Sequence, residues 1–597
     1  MSATKRSRAI PGAAEPDPGP RVKRQRTDLL ILGAGGAGLL AALHAHSANP
    51  ALHVTIAVKG LLGKCGCTRM VQGGYNVALA PGDSVERHFM DTIEGGKWLP
   101  DQDLAWALVT GAIERIHELE NELGCFFDRN ADGSMHQKAF AGQTFDRTVH
   151  KGDLTGIEIM NRLAEQVWAR GIHRLEEHRA LDFVAAAGNE NAGALAGVLL
   201  ADIRTGEYVL VQAKAVLLAT GGGPTMYRFH TPSGDKSCDG LAMAMRFGLP
   251  LRDMEMVQFH PTGLLAGRET RMTGTVLEEG LRGAGGHLQD GGGNRFMERY
   301  DERAERATRD IVSRAIYAEM RAGRTTPNGG VYLSMGHLGP ANVRRQFKGM
   351  VERCADCGFD LAAGKVEVVP TAHYMMGGVE FAPDCTTECA GLFVAGEDSG
   401  GVHGANRLGG NGVANSTVFG GVAGDTIAEW LARDGAWREP DAVALEAARA
   451  RAEAPFMHKR SDPGALESIR GRLYDVMWDD AGIVRDAAGL ARAASALDAL
   501  GAELAATGIR DGERAFNLTW HDGLNLANLI AVSQVIVRAA RTRENSRGAH
   551  YRSDYPDTGD LSTSTFVRVR QRDERLEAEA VPVRFTRVAP GRSLLDP

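Results

Sequence analysis

The sequence predicts an α/β protein whose nucleotide-binding domain is discontinuous, interrupted by an insertion and followed by a helical bundle. Three observations carry this. A strand, a Gly-rich turn, a helix and a second strand follow one another between residues 29 and 59. Gly-rich turns of the same character return in GKCGCTRMVQGGYN, AVLLATGGGPTMY and GLFVAGEDSGGVHGANRLGGNGVANS, each beside an apolar run. From 431 to 545 the composition becomes rich in Ala, Leu, Arg and Glu with helical periodicity, as in ALEAARARAEA and AAGLARAASALDALGAELAA.

In the first unit, LLILG at 29–33 reads as a buried parallel strand, GLLAALHAHSA at 38–48 as a helix and HVTIAVK at 53–59 as the next strand. The intervening LGAGGAG places Gly33, Gly35 and Gly38 at the GxGxxG positions, with Ala34, Gly36 and Ala37 between them. The first glycine permits the tight turn, the second lets a pyrophosphate approach the backbone, and the third lets helix and strand pack. The helix N-terminus then faces the phosphates. The acidic residue expected at the end of the second strand to hold a ribose is missing, since Val58 and Lys59 stand there. This unit therefore predicts a Rossmann-like dinucleotide site with unusual ribose anchoring.

A chain of 597 residues predicts two to four domains. Residues 1–26 have no apolar h-region and read as a disordered, mildly basic tail, and no apolar stretch approaches the roughly 20 residues that cross a bilayer. The net charge of -7 with scattered cations disfavours nucleic acid. Eight cysteines in so long a chain suit a reducing cytosol rather than a disulfide framework. Cys354 with Cys357 and Cys385 with Cys389 raise a zinc or cluster site, but neither pair has knuckle glycines and the second enters the strand-like AGLFVAGE, so no metal is expected. Beyond 545 the alternation of Val, Arg and Phe predicts short strands.

The ordered motifs MVQGG, ATGG, CDGLAMA, QFHPTG, EEGLRGAGG, RFMERY, TRDIVSRA, PTAHYMMGG, AGE, HGANRLGGN and SRGAHYR resemble the flavoprotein subunits of succinate dehydrogenase and fumarate reductase, a superfamily that includes L-aspartate oxidase. The resemblance runs from about 27 to 556. It implies an FAD domain in two parts, 27–256 and 373–430, an α+β capping domain at 257–372, a helical domain at 431–545 and a C-terminal region at 546–597. By the same resemblance FAD would meet the loop Gly33–Gly38, Lys59, Cys67, Thr68, Gly73, Gly74, Asp239, Glu397, Gly412 and Val413.

The implied reaction interconverts a dicarboxylate and its α,β-unsaturated form by hydride transfer at flavin N5. His260, His373 and Arg407 match the family's carboxylate ligands, and Phe140 matches an aromatic residue beside the substrate. Arg309 matches the arginine that delivers the proton, resupplied through Glu279 and Arg282, whose spacing places them on one side of a helical segment. The implied partner is a separate iron–sulfur protein, because this sequence carries no cluster motif; the implied setting is cytoplasmic, at the inner face of a membrane when partner subunits hold it there.

Two departures bear on the reaction. Where many relatives carry a histidine bonded to FAD, this chain has Cys67, so FAD is expected to bind without a covalent link; a cysteinyl-flavin is the alternative. Glu278 stands where the family has a threonine that holds a substrate carboxylate. A carboxylate there repels the substrate unless it is protonated, turned away or faces an amino group. Two other functions stay open: an L-aspartate oxidase-like enzyme and a non-catalytic FAD-binding subunit.

Overall fold

The structure, a computed structural model, describes residues 22–596 except 189–192, 235, 268–269, 271 and 459–461. Strand β1 (Val22–Leu32) pairs in parallel with β2 (Val54–Val58), Leu29 opposite Val54, and helix α1 (Gly36–Ala48) makes the crossover. Residues 29–32 and nine of the thirteen residues of α1 are buried, as expected where a parallel sheet is covered on both faces. Strands β3 (His173–Glu176), β4 (His178–Ala185), β5 (Leu195–Asp202) and β6 (Tyr208–Leu218) complete a sheet of order β3-β2-β1-β6-β5-β4. The two halves of β6 differ: 208–212 pairs antiparallel with β5, and 216–218 pairs in parallel with Leu392–Val394. The second stretch, 174 residues downstream of the first, closes the same sheet, so the domain is discontinuous as predicted.

The insertion carries its own antiparallel sheet. In it β7 (Val257–Leu264) pairs with β8 (Lys365–Met375), which continues to Val331–Ser334 and His287–Gln289. Helix α2 (Arg309–Arg321) packs on this sheet, its Ser313 hydroxyl donating to the Phe259 carbonyl at 3.0 Å. Helix α3 (Asn411–Asp434) returns to the first domain and lies along α1. Gly420 and Gly424, one turn apart, permit this, since a Cβ on either would press into the backbone of Ala37 or Ala41. The bundle consists of Ala442–Met457, Ala465–Asp479, Ala487–Ala506 and Leu518–Thr542. The terminal hairpin Thr565–Arg572 and Arg575–Pro582 pairs with Leu251–Arg252, which pairs with Gly378–Val379. The C-terminal region thereby fastens both chain crossings at the base of the insertion.

Several boundaries differ from those predicted. Residues 22–26 are strand, not tail: VKRQR reads as a tail because its side chains face water, but its backbone pairs with 208–212 of β6. The rest of the expected tail, 1–21, lies outside the described residues, as do 268, 269 and 271 of the loop before Glu278. Strand β8 is continuous across 372–373, and α3 continues past 431 to Asp434, so the bundle begins at 442. Contrary to the sequence reading, Leu518–Thr542 is long and apolar enough to cross a membrane; 67% of its apolar window is buried inside the chain, where it forms the central helix of the bundle.

Candidate active site

One cavity runs along the C-terminal ends of β1 and β2, the N-termini of α1 and α3, and the near edge of the inserted sheet. Its glycines are placed by distinct demands. Gly33 takes φ +106 and sits against the Ala219 carbonyl, so only glycine fits the turn. A Cβ on Gly38 would collide with the Gly33 carbonyl, so Gly38 serves helix–strand packing and, unlike its predicted neighbours, does not line the cavity. A Cβ on Gly35 would meet nothing closer than Thr68 Oγ1 at 3.6 Å. Packing therefore does not require glycine at 35; a Cβ there would instead take up open room in the cavity. Neither α1 nor α3 has a side-chain N-cap, and among the first backbone donors of α1 Gly36 N–H donates to Thr68 Oγ1 at 3.2 Å. Two helix N-termini thus turn N–H groups toward the cavity, a setting for phosphates and carbonyl oxygens.

At the end of β2, Lys59 Nζ donates to Asp239 Oδ2 at 2.9 Å, and Arg179 donates to Asp239 Oδ1 at 2.7 Å. Burial raises the Asp239 carboxyl, but Arg179 and Lys59 together outweigh it and hold the group far below the usual carboxylate range. Burial lowers the Lys59 ammonium. Where the ribose acid is missing after β2 there stands a buried cation–carboxylate knot whose carboxylate comes from residue 239. Glu397 accepts from Met375 N–H at 2.9 Å, and burial pushes its carboxyl up to about 7. Cys67, Thr68, Gly73, Gly74, Gly412 and Val413 line the same cavity. Gly73 is required by Phe140, whose ring occupies the place its Cβ would take.

The other end of the cavity is set by strand alternation on β7 and by a bulge in β8, where His373 is the extra residue between Ala372, opposite Phe259, and Tyr374, opposite Gln258. Gln258 and His260, two apart on β7, face the same way, and His373 comes from β8, its ring 5.4 Å from that of His260. Burial drives both imidazoles well below their ordinary pKa, with the charge of Arg309 adding to the effect, so both are neutral at pH 7. His260 Nδ1 accepts from Thr262 N–H at 3.3 Å, which leaves the proton on Nε2. The guanidinium of Arg407 lies 4.4 Å from the centre of the Tyr374 ring, and burial lowers it to about 10, still cationic.

Arg309, first residue of α2, donates through Nη2 and Nε to Glu279 Oε2 at 2.6 and 3.1 Å and through Nη1 to Gln258 Oε1 at 2.9 Å. The same Gln258 oxygen accepts from Arg407 Nη2 at 3.1 Å. Glu279 Oε1 accepts from Arg282 at 3.0 Å across a four-residue helix, Gly280–Gly283. Burial raises Glu279, but Arg309 and Arg282 overcome it and keep it an anion. Arg282 is fully buried behind Glu279 and does not line the cavity. Arg309 and Glu279 both line the cavity, and Arg282 stands behind Glu279.

Glu278 lines the cavity and is paired with Lys138, so the anion predicted to repel substrate is compensated. Sequence reasoning missed Lys138, Gln258, Tyr374 and Arg179. Gln258 could have been found, since it precedes His260 by two on a strand; Lys138 and Glu278 are 140 residues apart, and nothing local links them.

A dinucleotide cradle joined to a buried cluster of arginines and neutral histidines defines an FAD-dependent oxidoreductase. Comparison with known proteins agrees: residues 28–413 match the model of the FAD binding domain, and 470–593 match that of the fumarate reductase flavoprotein C-terminus. The chain is 39% identical over 538 residues to one subunit of the fumarate reductase (CoM/CoB) of Methanothermobacter marburgensis, covering 89% of this chain and 95% of that protein. It is 34% identical over 549 residues to the fumarate reductase flavoprotein subunit of Escherichia coli, covering 89% and 88%. A solved E. coli quinol fumarate reductase superposes with a TM-score of 0.89 at 32% identity, over 96% of this chain and 99% of that one. The chain belongs to the fumarate reductase and succinate dehydrogenase flavoprotein family, and FAD is its cofactor.

Proposed function

We propose that the protein interconverts a dicarboxylate and its α,β-unsaturated form, as fumarate reductases and succinate dehydrogenases do, and exchanges electrons with a separate iron–sulfur protein. Bound FAD supplies hydride transfer at its N5. The residues Gly33–Ala37, Thr68, Asp239, Glu397, Gly412 and Val413 would hold it. Arg407 and His373 clamp one carboxylate, Arg407 as a planar two-point donor and His373 as a neutral N–H donor. His260 faces the other carboxylate. Phe140 closes the apolar side against the carbon chain.

The observation that carries the reading is the unbroken sequence Arg309, Glu279 and Arg282, with hydrogen bonds of 2.6 and 3.0 Å, leading from the cavity into the protein. Arg309 gives a proton to the substrate carbon opposite the hydride and regains one through Glu279, so it is never left neutral. That removes the objection that a guanidinium has too high a pKa to be an acid. The iron–sulfur partner is supported by the relatives, which are named as subunits. The test is fumarate reduction by the FAD-replete chain with a reduced viologen dye as donor. Turnover is expected; none at full FAD occupancy would refute the reading.

A further inference from the structure

Glu278 stands out among the cavity residues because one of its oxygens has nothing to do. Its Oε1 is held by Lys138, and among the described residues Oε2 takes no hydrogen bond. The side chain is buried yet lines the cavity beside His260, Glu279 and Arg309. Three charged groups bear on it: Lys138, Asp153 before the helix Thr155–Ala169, and the neighbouring Glu279. Lys138 cannot leave to meet a ligand cheaply, being tied to Glu278 and lying 5.7 Å from the centre of the Phe140 ring.

We propose that Glu278 takes up one proton when a dicarboxylate binds and, as the neutral acid, donates a hydrogen bond from Oε2 to the carboxylate that His260 faces. This rests on the dicarboxylate reading above. A second carboxylate brought beside Glu278 in a buried site raises the affinity of the pair for a proton drawn from solvent. Lys138 fixes which oxygen carries it. By holding Oε1 as an acceptor, it leaves Oε2 to bear the hydrogen. Burial already raises the Glu278 carboxyl against the pull of Lys138, so the free site is poised to accept the proton. The charge that would repel the substrate thus becomes a donor to it, and affinity becomes pH-dependent.

The test is calorimetry of fumarate binding to the oxidised, FAD-replete protein, which cannot turn over, in buffers of different ionisation heat at about pH 8. Binding should take up close to one proton, and affinity should fall by up to tenfold per pH unit on the alkaline side. Glu278→Gln keeps a donor that does not titrate, so it should bind fumarate with uptake near zero and a flat pH profile. Equal uptake in both proteins, or none in the wild type, overturns the proposal. Infrared difference spectra of the wild type alone decide the matter if the variant does not fold: fumarate should produce a new protonated-carboxyl band, and its absence overturns the proposal. If fumarate does not bind at all, the dicarboxylate reading falls and this one with it.

Discussion

Replacing Gln258 by leucine removes the one atom that holds both guanidinium groups in register. Gln258 Oε1 accepts from Arg309 at 2.9 Å and from Arg407 at 3.1 Å, and its amide donates to the Arg407 carbonyl at 2.7 Å. Hydrogen bonds to charged groups contribute about 1.5–3 kcal/mol each. Arg309 keeps Glu279 and Arg407 keeps the Tyr374 ring, so the lower end applies, and the two together give about 3 kcal/mol. Expressed as misplacement of the proton donor and the carboxylate clamp, that is roughly a hundredfold in kcat/KM. Gln258→Glu should behave differently. It keeps the shared acceptor but cancels one positive charge, so kcat survives better while KM for a dianion rises. The assay is dye-coupled fumarate reduction at matched FAD occupancy. Turnover by Gln258→Leu within about threefold of wild type would refute the claim that this glutamine positions the two arginines.

Gly35→Ala should fold normally but bind FAD at least tenfold more weakly, whereas Gly38→Ala should lose stability, because only the second Cβ collides with protein; flavin titration and thermal melting separate the two. Asp239→Asn strands Lys59 and Arg179 as buried cations and should cost about 3–5 kcal/mol in denaturant unfolding, with weakened flavin retention. His44 supplies a pH test of stability away from the site. Burial lowers it, but Asp425 and Glu118 outweigh this and raise it from 6.5 to about 9. Because the folded value lies above the unfolded one, its contribution, at most about 3 kcal/mol, is complete below pH 6.5 and is lost as pH rises through about 9. The stability difference between wild type and His44→Gln should shrink over that range; a difference constant from pH 6 to 10 would contradict this.

The parts of the molecule that local physics determines were legible. LLILGAGGAG could be read as strand, turn and helix, with the role of each glycine, because each demand falls on a residue within a few positions. Motif resemblance singles out Arg309, Glu279 and Arg282 as the proposed relay, and spacing alone links the two that share a helix turn. What escaped was non-local. The backbone pairing that makes VKRQR a strand is supplied by residues 208–212, and the cation that tames Glu278 comes from residue 138. The apolar content of Leu518–Thr542 is hard to read because its Asn, Ser and Gln residues interrupt every run, although most of the helix is buried in the bundle. Gln258 was overlooked for another reason: glutamine announces no chemistry until two arginines are found on one of its oxygens.

On the proposed role of Arg309 as proton donor, its replacement separates chemistry from binding. Arg309→Leu, at full FAD occupancy, should still bind fumarate through Arg407, His373 and His260, with kcat lowered roughly 10³-fold or more, as loss of a positioned acid requires. The measurement is kcat from dye-coupled turnover set beside the fumarate dissociation constant of the oxidised protein. A large fall in kcat with affinity within about tenfold is predicted; kcat within tenfold of wild type would contradict the role given to Arg309.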